Sequence, residues 1–134
     1  MLVLFLLILI WAADIGAYFA GKLFGKTKLC PSVSPGKTLE GVFGGAALAQ
    51  VAAILYVYVS TQAPLLSDFL IFSFIALVIS LVSVLGDLFE SVLKRIAEVK
   101  DSGNILPGHG GILDRIDSLT SSAPIFFLLI VFLL

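Results

Sequence analysis

Charge is scarce in this chain. Only 13% of its 134 residues are Asp, Glu, Lys or Arg, while 60% are hydrophobic and the mean hydropathy is +1.16. Soluble domains carry about 25% charged and about 45–50% apolar residues. A globule this small could not hide so much apolar surface from water. An ordinary soluble domain and a disordered chain are therefore excluded. A nucleic-acid binder is excluded too: eight basic against nine acidic residues give a net charge of −1 and no bulk attraction to a polyanion. Cys30 is the single cysteine, so no internal disulfide can form. His109 is the single histidine, and without a Cys/His cluster zinc is disfavoured. There is no Walker A run and no GxGxxG. No basic segment or small-residue cleavage site marks a removable signal peptide, and Asp14 interrupts the first apolar stretch. Strand-like alternation is missing, which argues against a barrel. No internal repeat or low-complexity linker appears, so residues 1–134 read as a single membrane-embedded unit.

What is there suits lipid. Four apolar stretches approach the ~20 helical residues that a bilayer requires. They run from about Met1 to Gly21, Val42 to Ser60, Phe69 to Arg95 and Ser118 to Leu134, the last being short. Helices are expected because hydrocarbon offers backbone groups no other partners. The fold class is thus all-α: a polytopic membrane protein of about four transmembrane helices with two polar cytoplasmic loops. Lys22, Lys26, Lys28 and Lys37 fall in the first connection, and Lys94, Arg95, Lys100 and Arg115 in the third. The middle connection, Thr61 to Asp68, has no Lys or Arg. The positive-inside rule places the basic side in the cytoplasm, and both termini and the Pro64 loop outside.

Several polar residues sit where lipid would resist them. Ser80, Ser83, Asp87, Glu90 and Lys94 fall on one stripe of the third span, with Ser91 at its edge and Leu81, Val82, Leu85 and Phe89 opposite. Counting from Phe69 at about 1.5 Å per residue puts Asp87 roughly 27 Å along, near the cytoplasmic edge. Two readings stand: a salt-bridged helix end, or the wall of a polar cavity. Asp14 lies inside the first span and shares a face with Tyr18. A charge at mid-membrane costs about 2.5–3.5 kcal/mol on insertion scales, so Asp14 should face the bundle interior, paired with a basic residue or lining the cavity.

The two basic connections carry the chemistry. In the third, Gly108, Gly110 and Gly111 surround His109, and glycines let backbone N–H groups approach a ligand closely. Asp114 and Asp117, three apart, share a helix face and with Asp87 offer hard oxygen ligands suited to Mg²⁺. In the first, Ser34, Lys37 and Thr38 can bind phosphate oxygens. A solvated positive-inside loop is the plainer reading of that segment. Gly21 to Gly25 and Gly41 to Gly45 are small-xxx-small pairs suited to close helix packing. Cys30, beside Pro31, reads as an interfacial small residue. Such a site can hold a divalent cation, a polyphosphate and an anionic lipid headgroup together. Two functions remain open on this evidence: enzyme chemistry on a lipid phosphate, or an ion-coupled transporter half using Asp14 and Asp87.

The run from Ser91 to Asp117, Ser-x-x-Lys-Arg-x4-Lys-Asp-Ser-Gly-x3-Pro-Gly-His-Gly-Gly-x2-Asp-Arg-x-Asp, resembles the signature of phosphatidate cytidylyltransferases, also called CDP-diacylglycerol synthases. Asp14 to Gly21, Ser34-Pro-Gly-Lys-Thr-Leu-Glu-Gly and Leu85-Gly-Asp-Leu-Phe-Glu-Ser look like the same family. The resemblance covers essentially the whole chain and corresponds to the carboxy-terminal half of a typical member, so the family's upstream helices are expected to be absent. It implies transfer of CMP from CTP to phosphatidate with Mg²⁺, giving CDP-diacylglycerol and pyrophosphate. It implies metal-binding roles for Asp87 and Asp114, with Asp117 as a third member or supporting partner. Lys94, Lys100 and Arg115 would neutralise phosphates. Asp101 would orient Lys100 or a metal-bound water, and Gly108, His109, Gly110 and Gly111 would lie against the triphosphate. Ser34, Lys37 and Thr38 would touch a substrate phosphate, while Asp14 is assigned to the cavity wall alone. The expected partners are CTP, phosphatidate, the bilayer and a second copy in a homodimer, with no nucleic acid. The expected location is the bacterial inner membrane with the site facing the cytoplasm. An inactive scaffold retaining the motif is the remaining alternative.

Overall fold

A computed structural model describes residues 1–98 and 112–134, and for residues 112–117 the backbone alone. The chain forms α1 (Leu2–Phe24), β1 (Lys28–Cys30), β2 (Ser34–Thr38), α2 (Leu39–Ser60), α3 (Leu66–Ile96) and α4 (Ile112–Leu133). Among the described residues three helices, α1 to α3, are long and apolar enough to cross a membrane, and the apolar part of α4 is Ser118–Leu133. Each helix packs on the next in sequence, and α1 also reaches α3 and α4. Local chemistry sets several boundaries. Thr38 caps α2, its Oγ1 accepting the Gly41 N–H at 3.1 Å. The Asp68 carboxylate accepts the Leu65 N–H at 2.9 Å where α3 begins.

Small residues join α1 to α2. A Cβ built on Gly45 would stand 2.6 Å from the Ala13 carbonyl oxygen, and one on Gly41 would stand 3.0 Å from that of Ala17. Gly16 and Gly44 meet each other's backbones in the same seam. Close approach lets the two helices gain dispersion contacts that lipid cannot supply. The Gly41–Gly45 pair thus packs helices as the sequence implied. That face is taken up within the chain, so it supplies no argument for a homodimer.

A different device joins α2 to α3. The Gln50 amide donates to the Ser73 carbonyl at 3.0 Å, and the Ser73 hydroxyl donates back to Gln50 Oε1. Polar clasps of this kind contribute about 0.6 kcal/mol on average in membrane bundles and at most about 1.7. Gln50→Leu should therefore lower the stability of the detergent-solubilised protein by about 1 kcal/mol, read as a modest drop in Tm with the fold retained.

At the end away from the hairpin the core is aromatic. Phe5, fully buried, stacks on Tyr56 at 4.2 Å between centroids and meets Phe72 edge-on at 5.3 Å and Phe126 at 6.1 Å. These rings come from all four helices, and such pairs add about 0.5–1.5 kcal/mol beyond area burial. Trp11, Phe43, Leu55, Leu85 and Phe89 lie on the exposed outer surface, where lipid tails would cover them.

The structure departs from the sequence reading in two places. The first connection is no plain loop: β1 and β2 pair antiparallel, Lys28 opposite Thr38 and Cys30 opposite Ser34. Pro31 and Ser32 turn the chain, with the Val33 N–H on the Cys30 carbonyl at 3.2 Å. Pro35 is tolerated because a two-stranded ribbon leaves one edge of each strand unpaired. The hairpin is tied to α2 where the Thr27 N–H reaches both Glu40 carboxylate oxygens at 3.2 Å. The fourth helix also starts earlier than its apolar stretch, taking in Asp114, Arg115 and Asp117. Pro124 inside α4 removes the backbone donor that the Thr120 carbonyl would otherwise receive.

Candidate active site

Two separate elements converge on Asp87 of α3. Lys37, on β2, places its Nζ 2.9 Å from Asp87 Oδ2. Ser118, on α4, donates its hydroxyl to Asp87 Oδ1 at 2.7 Å. Both oxygens of one carboxylate are thus engaged by residues 50 positions before and 31 after it. The Lys37 and Asp87 side chains are only 29% and 18% exposed. The pair therefore sits where screening is weak and a lone charge would be costly. The Ser91 hydroxyl bonds the Asp87 carbonyl at 2.9 Å, steadying the helix turn below.

The polar stripe of α3 turns inward as its periodicity required. Ser80 and Ser83 are buried, and Glu90 pairs with Lys94 at 3.3 Å, while Leu81, Leu85 and Phe89 are exposed. The ion-pair reading of this stripe holds at its end, while none of the stripe residues itself lines the cavity nearby. From α3 the cavity is met by Val84, beside the stripe and one turn before Asp87.

That cavity measures about 230 Å³ and lies among α1, the hairpin, α2 and α3, with Asp14, Tyr18, Lys37, Thr38, Gly41 and Val84 in its wall. Asp14 lies on the cavity wall beside Tyr18, but both are exposed, so the expectation that Asp14 faces the bundle interior does not hold. Thr38 contributes to the same wall, but its oxygen already accepts a helix N–H, leaving its hydroxyl hydrogen to donate. Ser34 begins β2, half-buried, opposite Cys30.

Asp114, Arg115 and Asp117 lie within α4, with their side chains outside the described residues. Asp114 is one turn before Ser118, the residue that touches Asp87. Lys100, Asp101, Gly108, His109, Gly110 and Gly111 lie outside the described residues altogether. Among the described residues, no three His, Cys, Asp or Glu side chains gather as a metal cluster. Sequence reasoning missed Ser118 as a site residue. The signal was present: it is four residues after Asp114 and begins an otherwise apolar stretch.

Fold and site define a class: a helical membrane protein with an aromatic end and a polar end, where an ion pair and a small cavity adjoin. Comparison with known proteins narrows this further. The sequence profile of the cytidylyltransferase family matches residues 1–133, and the chain belongs to that family. It is 54% identical over 127 residues to a phosphatidate cytidylyltransferase of Haemophilus influenzae, matching 93% of this chain and 44% of that protein. It is 52% identical over 126 residues to one of Bacillus subtilis, matching 93% of this chain and 46% of that protein. The chain thus spans less than half the length of these relatives. In three dimensions it resembles a solved intramembrane enzyme of archaeal membrane-lipid biosynthesis, with a TM-score of 0.62 at 20% identity, over 92% of this chain and 77% of the other. That likeness establishes the fold.

Proposed function

We propose that the chain forms the catalytic part of a phosphatidate cytidylyltransferase, which transfers CMP from CTP to phosphatidate in phospholipid synthesis. A phosphate oxygen of the lipid forms a bond to the α-phosphorus of CTP, the bond to the bridging oxygen breaks, and pyrophosphate leaves. The observation that carries this reading is the convergence of Lys37, Asp87 and Ser118 beside a cavity at the polar end of the bundle. There a headgroup arriving along the inner leaflet and a nucleotide arriving from water can meet. Both reactants are anions, so the site must supply positive charge rather than a protein nucleophile. Lys37 faces the cavity for this task. Lys94, Lys100 and Arg115 are the further cations we assign to the phosphates, with Ser34, Thr38 and the Gly108–Gly111 segment as phosphate contacts and Asp101 orienting Lys100.

The donor set suits Mg²⁺. Asp87 is a hard oxygen ligand, with one oxygen held by an ammonium and the other by a hydroxyl, and a divalent cation would bind it in place of that ammonium. Asp114, one turn from Ser118, and Asp117 are the other ligands we assign. When bound, the ion supplies Lewis-acid stabilisation of the transferring phosphoryl group. The test of function is an assay of the purified protein with labelled CTP, phosphatidate and Mg²⁺. CDP-diacylglycerol formation supports the reading. Its absence, with insertion intact and substrates still bound, would favour a scaffold.

The polar end faces the cytoplasm of a bacterial inner membrane in this reading, and a homodimer belongs to it on the family resemblance alone. Orientation has its own check. In intact cells a membrane-impermeant maleimide should label a cysteine placed at Thr61 in a Cys30→Ser background, and should leave Cys30 of the original chain untouched until lysis. The reverse pattern inverts the topology.

A further inference from the structure

Lys37 has two surroundings at once: its ammonium is bonded to Asp87, and its side chain lines the cavity that Asp14, Tyr18 and Thr38 share. The proposal that follows rests on the metal reading given above. We propose that Lys37 is an exchangeable counter-ion: it holds Asp87 while the site is free of cation, and it moves to a phosphate monoester in the cavity when a divalent cation takes its place.

The argument is one of charge. Asp87 Oδ1 is already held by the Ser118 hydroxyl, so a cation arriving at this carboxylate competes with Lys37 for Oδ2. A dication and an ammonium on the same oxygen repel at short range, in surroundings where both side chains are more than two-thirds covered. Lys37 must then leave. Elsewhere in this half-buried setting it needs a negative partner, because separating a buried pair leaves a charge uncompensated. The adjoining cavity offers room for one. It is entered from the same strand position, and its wall carries the Thr38 hydroxyl as a further donor. Asp14 puts a carboxylate on the same wall, so a phosphate dianion there depends on the ammonium that the cation has displaced.

Binding of cation and binding of phosphate are thereby linked. A cation alone displaces Lys37 from Asp87, and a phosphate alone must share the ammonium with Asp87. The two together replace both partners. Such linkage is reciprocal, so each ligand tightens the other by the same factor. Lys37 acts on the metal site through Asp87 and is a positioning residue for that site.

The test measures Mn²⁺ binding by electron paramagnetic resonance on the detergent-solubilised chain, without nucleotide. Mn²⁺ affinity is read with and without dihexanoyl phosphatidate, and separately with inorganic phosphate. The chain with Lys37 should bind Mn²⁺ about tenfold more tightly when the lipid is present. In Lys37→Gln, Mn²⁺ should bind more tightly without lipid, since its competitor is gone, and the lipid effect should fall below about twofold. Lys37→Arg should restore part of the linkage, which a merely structural role would not require. Linkage with phosphatidate alone marks the lipid headgroup as the occupant, and linkage with both marks any phosphate monoester; either supports the exchange. Equal lipid effects in the original chain and in Lys37→Gln would overturn it while leaving Asp87 as a ligand. Mn²⁺ binding unaltered by Asp87→Asn would instead bring down the metal reading itself.

Discussion

Asp87→Asn should reduce CTP-dependent formation of CDP-diacylglycerol by at least ~100-fold, with the protein still inserted and folded. The amide keeps the size of the side chain and can still bond to Ser118, so the local packing survives. What it loses is the negative charge that pairs with Lys37 across 2.9 Å. In the proposed reaction that charge also holds the cation at which phosphoryl charge is stabilised, and removing one such electrostatic element commonly costs about 100–1,000-fold in rate. The measurement is product formation at saturating substrates, with circular dichroism and gel filtration to verify the fold. Turnover within a few fold of the original would remove Asp87 from the chemistry. Lys37 would then be read as a structural partner, since the variant would have broken the pair without consequence.

Gly45→Val should produce the largest loss of stability. Any Cβ at this position would lie 2.6 Å from the Ala13 carbonyl oxygen, and that oxygen belongs to a helix backbone that cannot turn aside. The helices must separate, and the contacts through Gly16, Gly41 and Gly44 weaken together. Overpacking of this kind costs about 3 kcal/mol at the upper end of the usual range. The readout is a lower Tm and faster proteolysis in detergent, compared with Gly36→Ala as a control. A Cβ on Gly36 meets nothing within 4 Å, so that variant should stay close to the original. Comparable Tm values for the two would mean that α1 and α2 do not pack as described.

Much of this architecture was readable from residues alone, because lipid leaves a chain few choices. The apolar lengths fixed the helices, and the stripe from Ser80 to Lys94 fixed which face of α3 turns inward. The Asp14 and Tyr18 spacing placed both on one wall. What escaped was pairing between distant segments. Nothing in the local pattern around Lys37 says that its ammonium reaches Asp87, 50 residues on, because that depends on how the hairpin folds against α3. The hairpin itself was hidden by Pro35 and Gly36, which both weaken a strand assignment. The Gln50–Ser73 clasp was visible as a lone amide in an apolar stretch, but its partner on α3 is set by helix rotation, which sequence does not report. Asp87 was legible as a carboxylate on the inward stripe of α3; that Ser118 would complete its hydrogen bonding was legible only through the spacing to Asp114.

The aromatic cluster carries a mechanical consequence. Phe5, Tyr56, Phe72 and Phe126 interlock all four helices at one extremity, whereas toward the other, among the described residues, α3 is tied to the hairpin and to α4 through one carboxylate, Asp87. Stiffness is therefore unequal along the long axis, and the bundle behaves like a clothes-peg gripped at its spring. Thermal splaying is then concentrated at the jaws, where the lipid of the proposed reaction would enter sideways. Amide hydrogen exchange should follow that gradient, slowest around Phe5 and fastest toward the open rim.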